Sequence, residues 1–316
     1  MRDHIDEVGQ VLDFMAMGNV DLKKYMLPRE EQDKILPVSA FTSRVTDYFH
    51  GEHQDYGKMP WPSLDGKVEI RPGEVSVYAG SNGHGKSLLH GLICLSLAAQ
   101  GQSVVIASME MPPVTTVARL IRQGCLGESP SPEWISRFME NVQHKIRLYD
   151  HNGTVKPETM IALARYCREE MKVDHIVIDS LMKCGISADD YNRQKWFMDE
   201  LTTYARDSGL HIHLIAHSRK KDTERAIIDK YDIKGTSEIT DMADNVFSVW
   251  RNKKKEADAQ KPEPSDKIQN EPDALLICDK QRHGEWEGRV GLWFLERSLQ
   301  YVDRPKAHAV DILGLG

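Results

Sequence analysis

Residues 74–89 read Glu-Val-Ser-Val-Tyr-Ala-Gly-Ser-Asn-Gly-His-Gly-Lys-Ser-Leu-Leu, and this stretch decides the fold. Its first half, Glu74–Gly80, is a β-rich apolar run. Its second half, Gly80-Ser81-Asn82-Gly83-His84-Gly85-Lys86-Ser87, has the spacing G-x-x-x-x-G-K-[ST]. A helical pattern, Leu88 to Ala99, follows directly. Phosphate chemistry needs this order. Glycines let backbone N–H groups turn inward around a β-phosphate, and the following helix offers its positive N-terminus to the anion. Lys86 is placed to reach the β- and γ-phosphates, and the Ser87 hydroxyl to coordinate Mg²⁺. The substrate implied is ATP or another NTP or dNTP.

Outward from this loop, further β-rich runs lie at Ser103–Met109, Lys145–Asp150, His175–Ser180 and His211–His217. Others follow at Asn245–Trp250, Ala274–Asp279 and Val290–Glu296. Near-continuous β-branched and leucine runs predict strands covered on both faces. Helical segments between the first five predict right-handed crossovers and a mainly parallel sheet. The later runs have no long helical pattern between them and predict antiparallel strands at one end of the sheet. The fold class is therefore α/β. An aspartate, Asp179, ends the run His175–Asp179, where a P-loop fold holds its magnesium ion. A strand-end aspartate can also simply cap a turn.

The first 60 residues differ in pattern. Ile5, Val8, Leu12 and Met15 fall at helical spacing, as do Phe41, Val45 and Tyr48, with a charged stretch from Asp21 to Lys34 broken by Pro28. The expected organisation is a small helical segment or linker over 1–60, an ATPase core over 61–303 and a tail over 304–316. Asn252 to Pro272 is charged, proline-containing and poor in apolar residues, which predicts a mobile surface insertion with Lys253–Lys255 solvated.

Composition bounds the function. The 316 residues are 40% hydrophobic and 28% charged, enough for one large globular core. No apolar run approaches the ~18 residues of a membrane span, so the default is a cytosolic protein with no membrane partner. Five scattered cysteines include no C-x-x-C pair, which disfavours a zinc site or a disulfide framework. A net charge of -7 permits nucleic-acid binding only along a local basic track.

Several further segments resemble one family, the hexameric replicative DNA helicases of the RecA-like group. The resemblance is to DnaB-type enzymes, and still more to Twinkle and the helicase halves of phage primase-helicases. It covers roughly Trp61 to Tyr301. Ser108-Met109-Glu110-Met111-Pro112 is similar to the family's S-x-E-M-P segment, which makes Glu110 the residue that activates the attacking water. His217, within HSRK, stands where the family has a γ-phosphate sensor. Asp279-Lys280-Gln281-Arg282-His283-Gly284 resembles the K-x-R-x-G segment, which implies that Arg282 is an arginine finger and Lys280 its companion in the neighbouring subunit's site. Arg251 follows the run NVFSVW where the family often has an arginine near the nucleotide. A core made of such units is expected to form a homo-oligomer, a hexameric ring.

Basic residues cluster after three strand ends. They are Arg193 and Lys195, then Arg219, Lys220 and Lys221, then Lys234 with Gly235 and Thr236, the last resembling the family's K-G-S loop. In the family these loops line a channel for single-stranded DNA, and few aromatics lie in them, which favours backbone tracking over base readout. The resemblance further implies 5′-to-3′ movement, primase, loader or polymerase partners, and the cytoplasm of a bacterial or phage-infected cell. Residues 1–60 are too short for a DnaB-type N-terminal domain, which leaves coupling to a primase open. Two other readings stay open here: a filament-forming recombinase or repair ATPase, and an ATP-gated replication scaffold or loader.

Overall fold

The structure, a computed structural model, describes residues 27–50, 56–187, 189–218, 232 and 237–316. The chain divides into two compact units, Met1–Asp55 and Tyr56–Gly316. In the first, Pro28 precedes a short helix α1 (Arg29–Gln32), and a 3-10 turn at Val38–Phe41 leads into α2 (Thr42–His50). The helical spacing at Phe41, Val45 and Tyr48 thus falls on that turn and on α2. The expected helix around Ile5 to Met15 lies outside the described residues.

The second unit opens with the two-residue strands β1 (Gly57–Lys58) and β2 (Glu69–Ile70), paired antiparallel with each other. The remaining strands are β3 (Val75–Gly80), β4 (Val104–Ser108), β5 (Ile146–Leu148), β6 (His175–Asp179) and β7 (His211–His217). They continue with β8 (Asn245–Arg251), β9 (Ala274–Gln281), β10 (Gly288–Leu295) and β11 (Gln300–Val302). Together these make one nine-stranded sheet in the order β11-β10-β9-β8-β3-β7-β6-β4-β5. From β8 to β5 neighbouring strands are parallel, and β9, β10 and β11 are antiparallel additions. All eight runs expected from sequence are strands.

Alternation along the strands feeds two cores, one on each face. Tyr78, Val104, Ile106, Val177 and Ile215 face the core that contains α3 (Lys86–Ala99) and Trp61. Val75, Val77, Val105, Ile176 and Leu214 face the other core, with α6 (Pro157–Glu169) and α7 (Tyr191–Ser208). Both faces are covered, which is why the sequence shows apolar runs and not strict alternation. Between β4 and β5 lie α4 (Pro113–Cys125) and α5 (Pro132–Val142), and α8 (Ser237–Met242) precedes β8.

Two expectations need correction. The stretch Asn252–Pro272 is a folded excursion with α9 (Lys253–Ala259) and α10 (Asp266–Gln269). The buried Asp258 carboxylate organises it, accepting from Ser265 N, Gln269 Nε2 and Lys261 Nζ at 2.8, 3.0 and 2.8 Å. Lys255, expected as solvated, is largely buried and pairs with Asp273 at 2.8 Å. The tail after residue 303 is packed on α5: Trp134 Nε1 donates to Gly316 O and Arg137 Nη2 to Leu315 O. All five cysteines are free thiols. Among the described residues no helix is long and apolar enough to cross a membrane.

Candidate active site

β3 sits between β7 and β8, so the chain leaves its C-terminal end at the point where connections diverge to opposite sides. Open α/β sheets form their ligand crevice at such points. The loop there turns back through Gly83 and Gly85, both at positive φ (+76° and +85°), and runs into α3. A cleft of about 620 Å³ opens over it. Asn82, Gly83, Gly85, Lys86 and Ser87 line its floor, with Glu110, Asp179 and His217 from the ends of neighbouring strands. His84 is turned inward and buried, and it does not line the cleft.

The polar groups of this floor hold one another. Lys86 Nζ donates to Gly80 O at 2.8 Å and to Ser81 O at 3.1 Å. Burial lowers its pKa to about 8, against the opposing pull of Asp179 and Glu110. Ser87 Oγ donates to Asp179 Oδ2 at 2.7 Å. Burial raises the Asp179 pKa, and the Ser87 hydrogen bond offsets part of that rise. Glu110 Oε1 accepts from Ser180 Oγ at 2.6 Å and lies 3.2 Å from His217 Nε2. The His217 contact is the largest influence on Glu110, whose pKa falls to about 2 although partial burial opposes the shift. The other ring nitrogen of His217, Nδ1, is buried and has no hydrogen-bond partner among the described residues.

Residues distant in sequence close the cleft. Arg119 comes from α4, Glu256 from α9, and Phe294, Glu296 and Tyr301 from the β10–β11 hairpin. Arg251 also lines it, with Nη1 on Gly83 O at 3.1 Å and Nε paired to Glu256. Trp61 Nε1 holds the Tyr301 carbonyl at 2.9 Å, and that strand places the Tyr301 ring against Gly85. Ser180, Tyr301 and the hairpin residues were not singled out from sequence, since none stands within a motif.

A divalent cation fits the floor. Ser87 and Asp179 present a hydroxyl and a buried carboxylate oxygen to one point, the hard oxygen donors that Mg²⁺ takes. Among the described residues no group of three or more His, Cys, Asp or Glu could hold a metal alone. That suits an ion completed by water and substrate phosphate.

The other sequence-selected residues lie elsewhere. Lys280 and Arg282, at and just beyond the end of β9, do not line this cleft; both reach the C-terminal end of α8. Arg193 is paired with Glu158 and stacks on Trp196 at 4.6 Å, and Lys195 is exposed on the same helix, α7. Arg219, Lys220, Lys221, Lys234, Gly235 and Thr236 lie outside the described residues.

The model of the DnaB-like helicase C-terminal domain matches residues 62–303. Among solved structures, a DnaB-like replicative helicase whose structure bears on its interactions with primase aligns with a TM-score of 0.68 at 15% identity, over 96% of this chain and 76% of that one. A solved ATPase domain aligns with a TM-score of 0.67 at 17% identity, over 85% of this chain and 100% of that one. A KaiC-like protein from Pyrococcus horikoshii OT3 aligns with a TM-score of 0.56 at 14% identity, over 79% of this chain and 99% of that one. These three likenesses are likenesses of fold.

Proposed function

The chain belongs to the DnaB-like helicase C-terminal domain family, the NTP-hydrolysing motor of replicative helicases, and from that premise we propose how its residues work. Subunits assemble into a hexameric ring and hydrolyse nucleotide at their interfaces. Hydrolysis drives 5′-to-3′ movement on single-stranded DNA and separates the duplex ahead. The observation that carries this is the convergence of Lys86, Ser87, Glu110, Asp179 and His217 on one cleft at the end of β3.

In this reading the backbone of Gly80–Ser87 cradles the phosphates of ATP or another nucleotide, and Lys86 leaves its loop carbonyls for them. Ser87 and Asp179 hold Mg²⁺, which supplies charge neutralisation on the phosphates. Glu110 orients and deprotonates the attacking water. A carboxylate with a pKa of about 2 is a weak base. Transfer of His217 from Glu110 to the γ-phosphate removes the largest depressing contact and strengthens that base. Arg282 reaches the neighbouring subunit's phosphates, and Arg251 braces the loop through Gly83. Arg193, Lys195, Arg219, Lys220, Lys221, Lys234, Gly235 and Thr236 form the DNA track, with primase, loader or polymerase as further partners. The setting is the cytoplasm of a bacterial cell or phage-infected host.

The test is nucleotide-driven unwinding of forked duplexes with either a 5′ or a 3′ loading strand. Unwinding that requires the 5′ strand is expected. DNA-stimulated hydrolysis with no strand separation on either fork would refute the helicase reading of this chain.

A further inference from the structure

Just beyond the end of β7 the chain touches the phosphate loop twice, and neither contact uses the His217 ring. β3 and β7 are parallel neighbours in register to their last residues, with Gly80 opposite His217. One residue further, Ser218 N donates to Gly80 O at 3.1 Å. The Ser218 and Ser81 hydroxyl oxygens lie 3.0 Å apart, and either hydroxyl can donate to the other. The same two loop residues hold the resting Lys86, whose Nζ donates to Gly80 O at 2.8 Å and to Ser81 O at 3.1 Å. Ser81 O also accepts from His84 N at 3.2 Å.

Sharing gives this junction two arrangements. At rest, the Gly80 carbonyl divides its two lone pairs between the Lys86 ammonium and the Ser218 N–H. Once the ammonium leaves for a phosphate, Ser218 N has that carbonyl without its charged competitor, and Ser81 loses the same cation. The hydroxyl pair ties the two segments side chain to side chain, so a shift of Ser81 is carried to Ser218. From Ser218 the chain continues directly into Arg219, Lys220 and Lys221. The Glu110–His217 contact is a separate link, since it joins β7 to the end of β4 and not to the loop.

We propose that Ser218 is a positioning residue that couples the phosphate loop to DNA. Its hydroxyl, paired with that of Ser81, links the state of the loop to the basic run that begins at Arg219, separately from His217. The inference rests on the reading of Arg219, Lys220 and Lys221 as part of the DNA track. Coupling requires a contact that differs between two states, and the shared hold on Gly80 and Ser81 supplies it. By linkage, whatever factor nucleotide adds to DNA affinity through this junction, DNA adds to nucleotide affinity.

The experiment measures the affinity of the assembled full chain for a fluorescent single-stranded DNA, with and without a non-hydrolysable ATP analogue. The ratio of the two affinities is the coupling factor. It is compared in the parent, Ser218→Ala, Ser218→Thr, Ser81→Ala and the double alanine variant. Ser218→Ala is expected to reduce the factor about threefold or more. DNA affinity without nucleotide, and hydrolysis without DNA, should both stay within about twofold of the parent. Ser218→Thr keeps the hydroxyl and should retain about half or more of the factor. Ser81→Ala removes the pair from the other side and should reduce the factor similarly, which decides the matter if Ser218→Ala does not assemble. Because the hydroxyls act as one pair, the double variant should lose no more than about twofold beyond the worse single. An unchanged factor in Ser218→Ala would overturn the proposal, as would losses that multiply in the double variant. Hydrolysis without DNA that falls as far as the factor, or a threonine variant no better than alanine, would leave Ser218 a structural role alone and also overturn it. If instead the parent's DNA affinity ignores nucleotide, or is unchanged when Arg219, Lys220 and Lys221 are replaced by alanine, the reading of the DNA track is refuted, and this inference with it.

Discussion

Two glycines of the phosphate loop share a backbone conformation but not an environment, and this makes a quantitative test of the site's geometry. Gly83 and Gly85 have φ of +76° and +85°, where an L side chain is strained. A Cβ at Gly83 meets nothing within 4 Å, whereas one at Gly85 would overlap Tyr301 Oη and lie 3.3 Å from its Cζ. Gly83→Ala therefore incurs the conformational cost alone, about 1–2 kcal/mol. Gly85→Ala adds overpacking of about 1–3 kcal/mol, because Tyr301 is buried and its carbonyl is tied to Trp61. The expected totals are about 1–2 and about 2–5 kcal/mol. Urea titrations of the two variants and the parent, at one protein concentration, measure the difference. Tyr301→Phe removes the nearest clashing atom, so it should recover part of the Gly85→Ala loss and none of the Gly83→Ala loss. Equal losses at the two glycines, or no recovery with Tyr301→Phe, would refute the placement of Tyr301 against the loop.

Three further outcomes test the site and the core. Glu110→Gln should keep nucleotide binding, measured by a fluorescent analogue, and lower single-turnover hydrolysis by about a hundredfold or more; normal turnover would remove Glu110 from the mechanism. Arg282→Ala and Lys86→Ala should each abolish turnover, yet mixed rings should regain some, since each supplies what the other lacks at one interface; absence of rescue would place Arg282 within its own subunit. The core should be acid-labile through His90, His175, His211 and His213, all buried, with pKa values lowered mainly by burial, to about 3 for His90 and about 4 for His211. A depressed histidine binds a proton in the unfolded chain before the folded one, so stability is present above pH ~6.5 and is lost as pH falls below it, by up to about 1.4 kcal/mol per pH unit per group. Glu110 adds its own loss only below its ordinary value of 4.5. Melting temperatures that stay flat from pH 7 to 5 would contradict the burial of these rings.

How much of this was readable beforehand follows from how local each signal is. The central strands β3, β4, β6, β7 and β8 announce themselves because each is a run of five to seven residues buried almost throughout. β1, β2 and β11 have two or three residues each, Gly57–Lys58, Glu69–Ile70 and Gln300–Val302, too short to carry a period. Residues 252–272 misled because their composition is polar. What orders them is the Asp258 carboxylate and the Lys255–Asp273 pair, and neither is visible as hydrophobicity. The phosphate loop and Asp179 were legible because their chemistry is contiguous in sequence. The contact of Glu110 with Ser180 and His217 joins the ends of three strands and requires the order β7-β6-β4 to be known. The cleft's far wall, Phe294 and Tyr301, is more distant still in sequence and belongs to no motif.

The resting site has a common feature that bears on how the motor works. Each polar group assigned to hydrolysis already has a partner: Lys86 on Gly80 and Ser81, Ser87 on Asp179, Glu110 on Ser180 and His217, Arg282 on the end of α8. Substrate therefore does not fill vacancies but displaces contacts, and each displacement is favoured only by a stronger partner. For Lys86 and Arg282 the present partners include neutral carbonyls, and a phosphate oxygen is charged; charge-assisted hydrogen bonds are roughly twice as strong as neutral ones. Arg282 holds two neutral carbonyls at 3.2 and 3.4 Å, the weak end of the range. It also lies 3.4 Å from Asp244 Oδ1, so its release must replace an ion pair as well as two weak bonds, which an anion and not a neutral acceptor can do.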